Sequence, residues 1–408
     1  MAIGRQKRVL LLGGSFFQIP SVQTAKRLGF YTITCDYLPD NPGHKFSDEY
    51  YNVSTTDMHS VLELAKSLKI DGIVCYASDP AAPTAAYVAE KLGLPGNPYD
   101  SVLTLSYKDR FRKFLEEHHF ATPKARGYYT YDEAYADLDF FKFPIMVKPV
   151  DSCGSKGVTK INSPEELKKA FQKALDFSRS KKIIIEEFVV NNGPQIIGDG
   201  ISRQGQLIFR AFGSHVFNKA THESTGSPFV PIGGCWPYSK PKTVHDKLHN
   251  EIQRLLSLLE MRNCSYNFEA RLDCNENPIL MEVGCRSGGN MIPQVLQYAT
   301  GVDMVEFVIR SAIGDNCDDY TMVEPNGFWA YYVVHCNKEG TLKRIDVDKD
   351  FQQHHVVKFW QIKKTGDPIM AFSGANGTLG TMALRFSSMS EMHSMMNEMD
   401  SYVQVVLV

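Results

Sequence analysis

The sequence predicts an α/β protein of several domains, and three observations support this class. The chain has 408 residues, more than one domain usually contains. Near the N-terminus, short apolar strands alternate with amphipathic segments, which is typical of a parallel sheet covered by helices. Further along, a glycine–serine turn bounded by lysines and a hairpin with one glutamate on each strand indicate a ligand site.

Residues 1–104 are predicted to form a Rossmann-like domain. Strands are expected at 8–14, 31–37 and 71–79, and helices at 20–28, 61–69 and 84–93. Polar residues follow the strands at the edge where open α/β sheets bind ligands, and they are Ser15, Asp36, Ser78 and Asp79. The first turn reads GGSFFQ and lacks the G-x-G-x-x-G spacing, so NAD binding is disfavoured.

Three further units are predicted after a Gly/Pro-rich boundary, LGLPGNP at 92–98. They are a small lobe at 105–182, a large lobe at 183–316 and a C-terminal α+β region at 317–408. The C-terminal region contains the strand-like runs FWAYYVVH, VVKFWQI and TMALRF and a methionine-rich helix at 390–400. These methionines are expected to pack in a core rather than to form a cofactor site.

Composition narrows the class of protein and of partner. The formal net charge is −2, so neither a nucleic-acid partner nor a membrane-surface partner is expected. Apolar runs are too short to span a bilayer, and the first one, VLLL, is interpreted as a strand rather than a signal peptide. Nine cysteines without CxxC spacing predict reduced thiols in the cytoplasm. Cys153 is interpreted as a small residue in a serine-like position, not as a nucleophile.

The stretch VKPVDSCGSKGV at 147–158 is the first candidate for chemistry. A glycine-rich turn brings backbone N–H groups close to phosphate oxygens. Lys148 and Lys156 add positive charge, and Ser152 and Ser155 add hydroxyl donors. The turn is predicted to hold a triphosphate under a flap, with a solvated hairpin turn as the alternative.

A second candidate is the hairpin NFEARLDCNENPILMEVGCRSGG at 267–289. Glu269 and Glu282 lie thirteen positions apart on two strands, so they are able to face each other on one side of the sheet. Facing carboxylates predict a divalent cation, and Arg286 follows closely enough to neutralise a phosphoryl group. The alternative is a surface hairpin with a structural Glu–Arg pair.

In their order and spacing these motifs resemble the ATP-grasp superfamily, over about residues 5–317. VKPVDSCGSKGV resembles its phosphate-grasping loop, and IIIEEFV at 183–189 resembles its adenine hinge. The E-x12-E pair followed by Arg286 resembles its metal- and phosphate-binding strands. The resemblance implies a two-lobed ATP-grasp domain that uses ATP with Mg²⁺ or Mn²⁺, and a homodimer, as is common among relatives.

The resemblance also implies roles for single residues. ATP is expected to be bound by Lys108, Lys148, Ser152, Gly154, Ser155, Lys156, Gly157, Glu186, Glu187, Phe188, Val189 and Gln195. The metal ligands are expected to be Glu269 and Glu282. Arg286 is expected to hold phosphate in the transition state, and Asn267 to donate to the developing oxyanion.

Two positions depart from the superfamily pattern. Many members have a glutamate for the ATP ribose where this chain has Gln195, which is still able to bind ribose hydroxyls. Many also have an asparagine as third metal ligand where this chain has Gly284. Whether one or two metal ions bind therefore stays open.

The implied reaction is that of a carboxylate–amine ligase, in which ATP phosphorylates a carboxylate and an amine attacks the acyl phosphate. GCRSGGNMIPQVLQYATGVDMVEF is similar to the corresponding stretch of amino-acid ligases. A bicarbonate-activating carboxylase or carbamoyl-phosphate-type enzyme is one alternative, disfavoured because R-x-Q-V-E-H is missing. A catalytically silent ATP-binding module is the other, supported only by Gly284. The acid, the amine and the pathway stay open.

The segment at 211–240 is expected to be a long loop that covers the acceptor substrate. Expected substrate-binding residues are His215, His222, Trp236, Ser287, Gly288 and Gly289. For each histidine the alternative is an exposed loop residue. Arg210 and Arg271 are expected either to bind a substrate carboxylate or to sit in surface ion pairs.

Overall fold

The computed structural model describes residues 5–218 and 230–408, and these form four β-sheets. Predicted positions of most strands and helices agree with the structure to within a few residues.

The N-terminal sheet is parallel, and its strand order places the first strand between the second and the fourth. Its strands are β1 (Arg8–Leu12), β2 (Tyr31–Cys35), β3 (Glu49–Tyr51) and β4 (Gly72–Cys75), and its helices are α1 (Ile19–Arg27), α2 (Met58–Leu68) and α3 (Ala82–Leu92). β1 is almost fully buried because its run VLLL is covered on both faces. The predicted strands and helices are confirmed. The edge strand β3 was missed because its three polar and aromatic residues carry no apolar pattern.

The next part of the chain has four helices and an antiparallel sheet of four strands in the order β5-β8-β6-β7. The helices are α4 (Tyr99–Ser106), α5 (Lys108–Glu117), α6 (Tyr131–Ala136) and α7 (Leu167–Phe177), and the strands are β5 (Ala125–Tyr128), β6 (Ile145–Pro149), β7 (Thr159–Ile161) and β8 (Ile183–Glu187). Isoleucine and valine side chains of this small sheet pack against α7. The division predicted at residue 183 lies one strand before the change of sheet, because β8 pairs with β5 and β6.

The large lobe contributes β9 to β13 and three helices. The strands are β9 (Ile196–Arg203), β10 (Gln206–Phe217), β11 (Pro231–Trp236), β12 (Cys264–Leu272) and β13 (Pro278–Gly284), and the helices are α8 (Lys242–Leu258), α9 (Ile292–Thr300) and α10 (Met304–Ala312). The expectation of a single long loop at 211–240 is wrong, since β10 runs to Phe217, β11 spans Pro231–Trp236, and the two strands pair with each other. His222 lies outside the described residues.

The C-terminal region extends the same large sheet. Its elements are β14 (Phe328–Val334), β15 (Gly340–Val347), α11 (Lys349–His355), β16 (Val356–Gln361), β17 (Pro368–Ile369), β18 (Gly380–Phe386), α12 (Met389–Met396), α13 (Met399–Tyr402) and β19 (Val403–Leu407). The large sheet runs β13-β12-β9-β10-β11-β14-β18-β16, beside a small sheet β17-β15-β19. Met392, Met396 and Met399 are buried against these strands, so their predicted core role is confirmed. Within the described ranges, no helix has the length and apolar character to cross a membrane.

Helix α10 joins the large lobe to the N-terminal domain. Val305 and Ile309 on α10 share one buried cluster with Val9, Val22 and Val74 of that domain. On the surface, Arg27 of α1 pairs with two carboxylates at the start of α10. This packing places the C-terminal end of β4 beside the segment that follows β13.

Candidate active site

One cavity of about 320 Å³ lies between the sheet β5-β8-β6-β7, the large sheet and the N-terminal domain. Its lining includes five charged residues that the sequence analysis assigned to phosphate, metal or catalysis, namely Lys108, Lys148, Glu269, Glu282 and Arg286. They come from α5, β6, β12, β13 and the segment after β13. The fold therefore gathers residues that are far apart in the sequence around one space.

Glu269 and Glu282 stand opposite each other in the antiparallel pairing of β12 with β13. Their side chains are 35% and 33% exposed. Partial burial raises the pKa of Glu282, and the nearby carboxylates of Glu269 and Asp79 add to this rise while Lys108 opposes it. Two carboxylates in such an arrangement repel each other, and a divalent cation relieves that repulsion.

The donor set of this pair fits Mg²⁺ or a similar hard cation. Both side chains offer oxygen ligands, and Mg²⁺ is usually held by one or two carboxylates together with water and phosphate. In the part of the chain that the structure describes, no group of three or more His, Cys, Asp or Glu side chains is arranged to enclose a metal. A cation held by Glu269 and Glu282 would complete its shell with water and other oxygen ligands.

The Glu269 carboxylate is oriented by two neighbours on the same face of the sheet. His215 Nε2 lies 3.6 Å from its Oε1, and Gln195 Nε2 donates to its Oε2 at 3.0 Å. The other end of the Gln195 carboxamide accepts from Arg271 at 3.1 Å. Burial opposes ionisation of Glu269, but His215, Arg286 and Lys108 lower its pKa.

Gln195 and His215, two residues predicted to bind ligands, both contact the Glu269 side chain instead. Gln195, expected to bind ribose, is bonded at both ends of its carboxamide and links Glu269 to Arg271. His215 lines the cavity, and its Nδ1 is buried without a hydrogen-bond partner. Arg271 also donates to the carbonyl oxygen of Val189.

Lys148 belongs to a second cluster of charges at the other side of the cavity. Its Nζ lies 2.6 Å from Glu186 Oε1, and Arg112 Nη2 lies 2.9 Å from Glu186 Oε2. The Glu186 side chain is only 2% exposed. Although burial works in the opposite direction, Arg112 and Lys148 lower the pKa of Glu186 to about 2. The Glu186 side chain, expected at the adenine hinge, thus holds Lys148 in place.

Arg112 was missed by the sequence analysis. It also donates to the carbonyl oxygens of Leu280 at 2.7 Å and Met281 at 3.2 Å, which ties α5 to β13. The sequence held a signal for it. Arg112 lies next to Phe111 and three positions before Leu115, on the face that α5 buries. A buried arginine on an apolar stripe of a helix requires an anionic partner elsewhere in the fold.

Lys108 connects the flap, residues 151–157, to the side of the cavity that carries Glu269 and Glu282, called the metal side below. Its Nζ donates to the carbonyl oxygen of Ser152 at 2.8 Å and lies 3.5 Å from Glu282 Oε2. Burial alone would lower the pKa of Lys108, but Glu282 and other anions raise it. Lys108 therefore remains a cation beside the predicted phosphate site.

The flap turns through left-handed backbone positions. Gly154 (φ 65°), Ser155 (φ 59°) and Gly157 (φ 73°) all lie in that region, which glycine adopts without strain. Ser152, Cys153, Gly154 and Ser155 line the cavity, whereas Lys156 is exposed and Gly157 is buried against Pro149. Burial raises the pKa of the Cys153 thiol, which disfavours a thiolate nucleophile.

The hinge, residues 186–189, comprises the last two residues of β8 and the two that follow it. Glu187 N–H donates to Lys124 and Phe188 N–H to Pro144, both at 3.0 Å. Glu186, Glu187 and Val189 line the cavity. The Phe188 ring lies under Lys160 Nζ at 4.1 Å and is not part of that lining.

Arg286 is held by a carboxylate of the N-terminal domain. Its Nε donates to Asp79 Oδ1 at 2.6 Å and its Nη2 to Asp79 Oδ2 at 2.7 Å. Its Nη1 donates to the carbonyl oxygen of Ser287 at 3.2 Å. Asp79 was noted in the sequence as a residue at the end of a strand, but its pairing with Arg286 was not foreseen.

A buried aspartate organises the loop after Arg286. Asp199, fully buried on β9, accepts from Asn267 Nδ2 at 2.8 Å and from Gly288 N–H at 2.6 Å. Burial raises the pKa of Asp199 to about 6. Asn267 Nδ2 also donates to Gly198 at 3.4 Å, so both of its N–H groups are engaged and the expected oxyanion contact is not preformed.

Three expected substrate residues do not line the cavity. Ser287 is fully buried and donates to Ser265, and Gly288 packs on Asp199. Of the run 287–289, Gly289 lines the cavity. Trp236 is also fully buried, with its Nε1 donating to the carbonyl oxygen of Ala211.

Packing corrects the expectation for Trp236 and decides between the two alternatives for Arg210. Trp236 fills the space left by Gly213, where a Cβ would lie 2.8 Å from the indole, so Trp236 is a core residue. Arg210 pairs with Glu324 at 2.7 Å, as the ion-pair alternative anticipated.

Comparison with known proteins places these residues in a family context. Residues 141–294 match the ATP-grasp domain. The carbamoyl phosphate synthase large chain of Neisseria meningitidis serogroup B is 20% identical over 393 residues, covering 92% of this chain and 33% of that protein. The chain thus spans about a third of that relative. The formate-dependent phosphoribosylglycinamide formyltransferase of Prochlorococcus marinus is 27% identical over 187 residues, 45% of this chain and 48% of that protein.

Solved structures match over nearly the whole chain. The L-amino acid ligase from Bacillus licheniformis superposes with a TM-score of 0.80 at 21% identity, covering 99% of both chains. The phosphoribosylglycinamide synthetase from Anaerococcus prevotii gives a TM-score of 0.77 at 19% identity, covering 99% of this chain and 100% of that one. These matches show the fold, including the C-terminal strands that extend the large sheet.

Proposed function

Because the chain contains an ATP-grasp domain, we propose that it is an ATP-dependent carboxylate–amine ligase that releases ADP and phosphate. One observation carries the proposal. Glu269 and Glu282 face each other at a cavity that Lys108, Lys148 and Arg286 also line. Such a site suits phosphoryl transfer, which depends on positioning and charge neutralisation more than on a protein nucleophile.

ATP is proposed to lie between the hinge and the flap. The cavity walls there include Met146, Val189 and Met281, which offer an apolar surface to an adenine ring. Lys108 and Lys148 supply positive charge for the phosphates, and glycine in the flap permits close approach of backbone N–H groups. The ion pair with Glu186 orients Lys148 before any nucleotide binds.

Glu269 and Glu282 are proposed to hold Mg²⁺ or Mn²⁺. When bound there, the cation neutralises negative charge on the phosphates and aligns them for transfer. Gln195 and His215 restrict the orientation of Glu269, so this ligand does not have to be ordered when a cation arrives.

The proposed chemistry has two steps. A carboxylate oxygen of the acid attacks the γ-phosphorus of ATP, the bond to ADP breaks, and an acyl phosphate forms. The nitrogen of an amine then attacks the acyl carbon, a C–N bond forms, and phosphate leaves. Arg286 is the cation placed to stabilise the charge of the transferring phosphoryl group and of the acyl phosphate. Small-molecule acids and amines are thus the proposed substrates.

The test is ADP release from Mg-ATP with a panel of acids crossed with a panel of amines, and product masses read by mass spectrometry. We expect ADP release that requires both an acid and an amine, and a product whose mass equals acid plus amine minus water. ADP release with bicarbonate alone would support the carboxylase alternative instead. ATP binding without turnover across a broad panel would support a binding module and contradict the ligase.

A further inference from the structure

The strongest unassigned feature is the contact that the N-terminal domain makes with Arg286. Asp79 begins the 3-10 turn Asp79–Ala81 that follows β4, at the edge of the parallel sheet where open α/β sheets bind ligands. Its carboxylate takes two parallel hydrogen bonds from Arg286, at 2.6 and 2.7 Å. Two-point pairing of this kind fixes the plane of a guanidinium as well as its position.

The backbone next to this pair is shaped to admit Asp79. A Cβ at Gly284 would lie 3.0 Å from Asp79 Oδ1 and 3.4 Å from Arg286 Nε. Gly284 does not have a positive φ, so backbone conformation does not require glycine there. The carboxylate of Asp79 thus approaches the space that a side chain at residue 284 would need, two positions after Glu282.

The remaining donors of Arg286 are directed by this arrangement. Asp79 occupies the edge formed by Nε and Nη2, and Ser287 accepts one hydrogen from Nη1. A guanidinium has five N–H donors, so one N–H on Nη1 and one on Nη2 are not used by these contacts. Arg286 lines the cavity, where an anion is able to take them.

We propose that Asp79 is a positioning residue: it holds Arg286 by one edge so that the other N–H groups face the transferring phosphoryl group. The inference rests on the proposed function and extends it, because it makes the N-terminal domain part of the catalytic arrangement. The packing of α10 on that domain keeps Asp79 in register with Arg286. Gly284 is glycine because a larger residue would push the pair apart.

The test compares two binding affinities in the whole protein. One is the affinity for ADP with Mg²⁺, and the other is the same affinity with aluminium fluoride added, which mimics a phosphoryl group in transfer. We expect aluminium fluoride to tighten ADP binding by the unaltered protein. In Asp79→Asn, affinity for ADP alone should stay within about twofold, while the gain from aluminium fluoride should fall at least about tenfold, because Arg286 is misaligned.

Two further variants separate positioning from general loosening of the domains. Arg27→Gln removes another ion pair between the N-terminal domain and α10, with Glu306 at 2.9 Å, away from the cavity. It should leave the gain unchanged. Gly284→Ala brings a Cβ against Asp79 Oδ1 and should reduce the gain in the otherwise unaltered protein. In an Asp79→Ala background the same change should cause no further reduction.

Each outcome has a defined meaning. A full gain in Asp79→Asn would overturn the positioning role and leave the proposed function standing. An equal loss of ADP affinity with and without aluminium fluoride, or a reduced gain in Arg27→Gln, would indicate general disruption and also overturn it. If the unaltered protein shows no ADP binding or no gain, the proposed function itself fails.

Discussion

The two charge clusters at the cavity differ in their ratio of cations to carboxylates. On the hinge side, Lys148 and Arg112 surround one carboxylate, that of Glu186, and these side chains are largely buried. On the metal side, the carboxylates of Glu269, Glu282 and Asp79 share two cations, Lys108 and Arg286, and the two glutamates are about one-third exposed.

The difference indicates what each side is suited to receive. A surplus of positive charge next to the flap is suited to phosphates, and a surplus of carboxylate oxygen on β12 and β13 is suited to a divalent cation. In the hinge-side cluster Glu186 holds both cations in place, so the positive charge is oriented before a phosphate binds. The metal-side cluster is left unbalanced, which costs stability in the free protein and favours a bound cation.

The largest effect is expected from a substitution that breaks the hinge-side cluster. Replacing Arg112 by methionine leaves Glu186 buried with one cation and removes the bonds to Leu280 and Met281. We expect the free energy of unfolding to fall by about 3–5 kcal/mol, as for other broken buried pairs. Urea unfolding measures this.

Arg110→Met on the same helix is the matched control. Arg110 pairs with Asp100 at the surface, where side chains are 39% and 81% exposed. Its loss should cost less than about 1 kcal/mol. Equal effects of the two substitutions would contradict the distinction between a buried cluster and a surface pair.

The second prediction concerns a substitution that removes one carboxylate from the metal-side cluster. Glu282→Gln keeps the shape of the side chain but removes its charge, so transition-state stabilisation should fall by about 2–4 kcal/mol, the range for loss of a preorganised electrostatic contact. The measurement is Mg²⁺-dependent ADP release. Glu276→Gln, on the turn of the same hairpin, is the control because Glu276 does not line the cavity and pairs with Lys240. Near-normal turnover in Glu282→Gln would rule out the metal assignment.

A third prediction uses pH to sharpen the contrast. The pKa of Glu186 is about 2 in the folded chain, below its ordinary value of 4.5, so its contribution to stability is present above pH 4.5 and is lost as pH falls toward 2. Between pH 6 and pH 3 this contribution should fall by about 2 kcal/mol. Comparing unfolding free energies of the unaltered protein and Glu186→Gln at both values isolates it. Parallel pH dependence in the two proteins would argue against the pair.

The smallest expected effect concerns the flap. Lys108 bonds to Ser152 of the flap, and a Cβ at Gly154 would meet no atom within 4 Å. Amide exchange at 151–157 should slow by about tenfold when Mg-ATP binds, as for loops that cover phosphates. Exchange in α7, whose apolar face is already buried, should not change. An unchanged flap would separate it from nucleotide binding.

Local patterns in the sequence were sufficient for most elements and for the residues that carry charge into the cavity. Strands and helices of the N-terminal domain follow from apolar periodicity, and the paired glutamates follow from a hairpin whose register the turn sets. The strands within 211–240 were missed because glycine, histidine and serine interrupt the apolar alternation there. Trp236 was misassigned because an isolated aromatic residue carries no sign of whether it is buried.

What each charged residue bonds to was decided only by the tertiary structure. Arg112 meets Glu186 across 74 positions, and Arg286 meets Asp79 across 207. Periodicity and motif spacing describe neighbours along the chain, whereas these pairs form because separate sheets pack together. The sequence by itself determined which side chains have the chemistry of an ATP site. The packing of the sheet β5-β8-β6-β7, the large sheet and the N-terminal domain decided which of them face the cavity, and which, such as Glu186 and Asp199, hold the others in place.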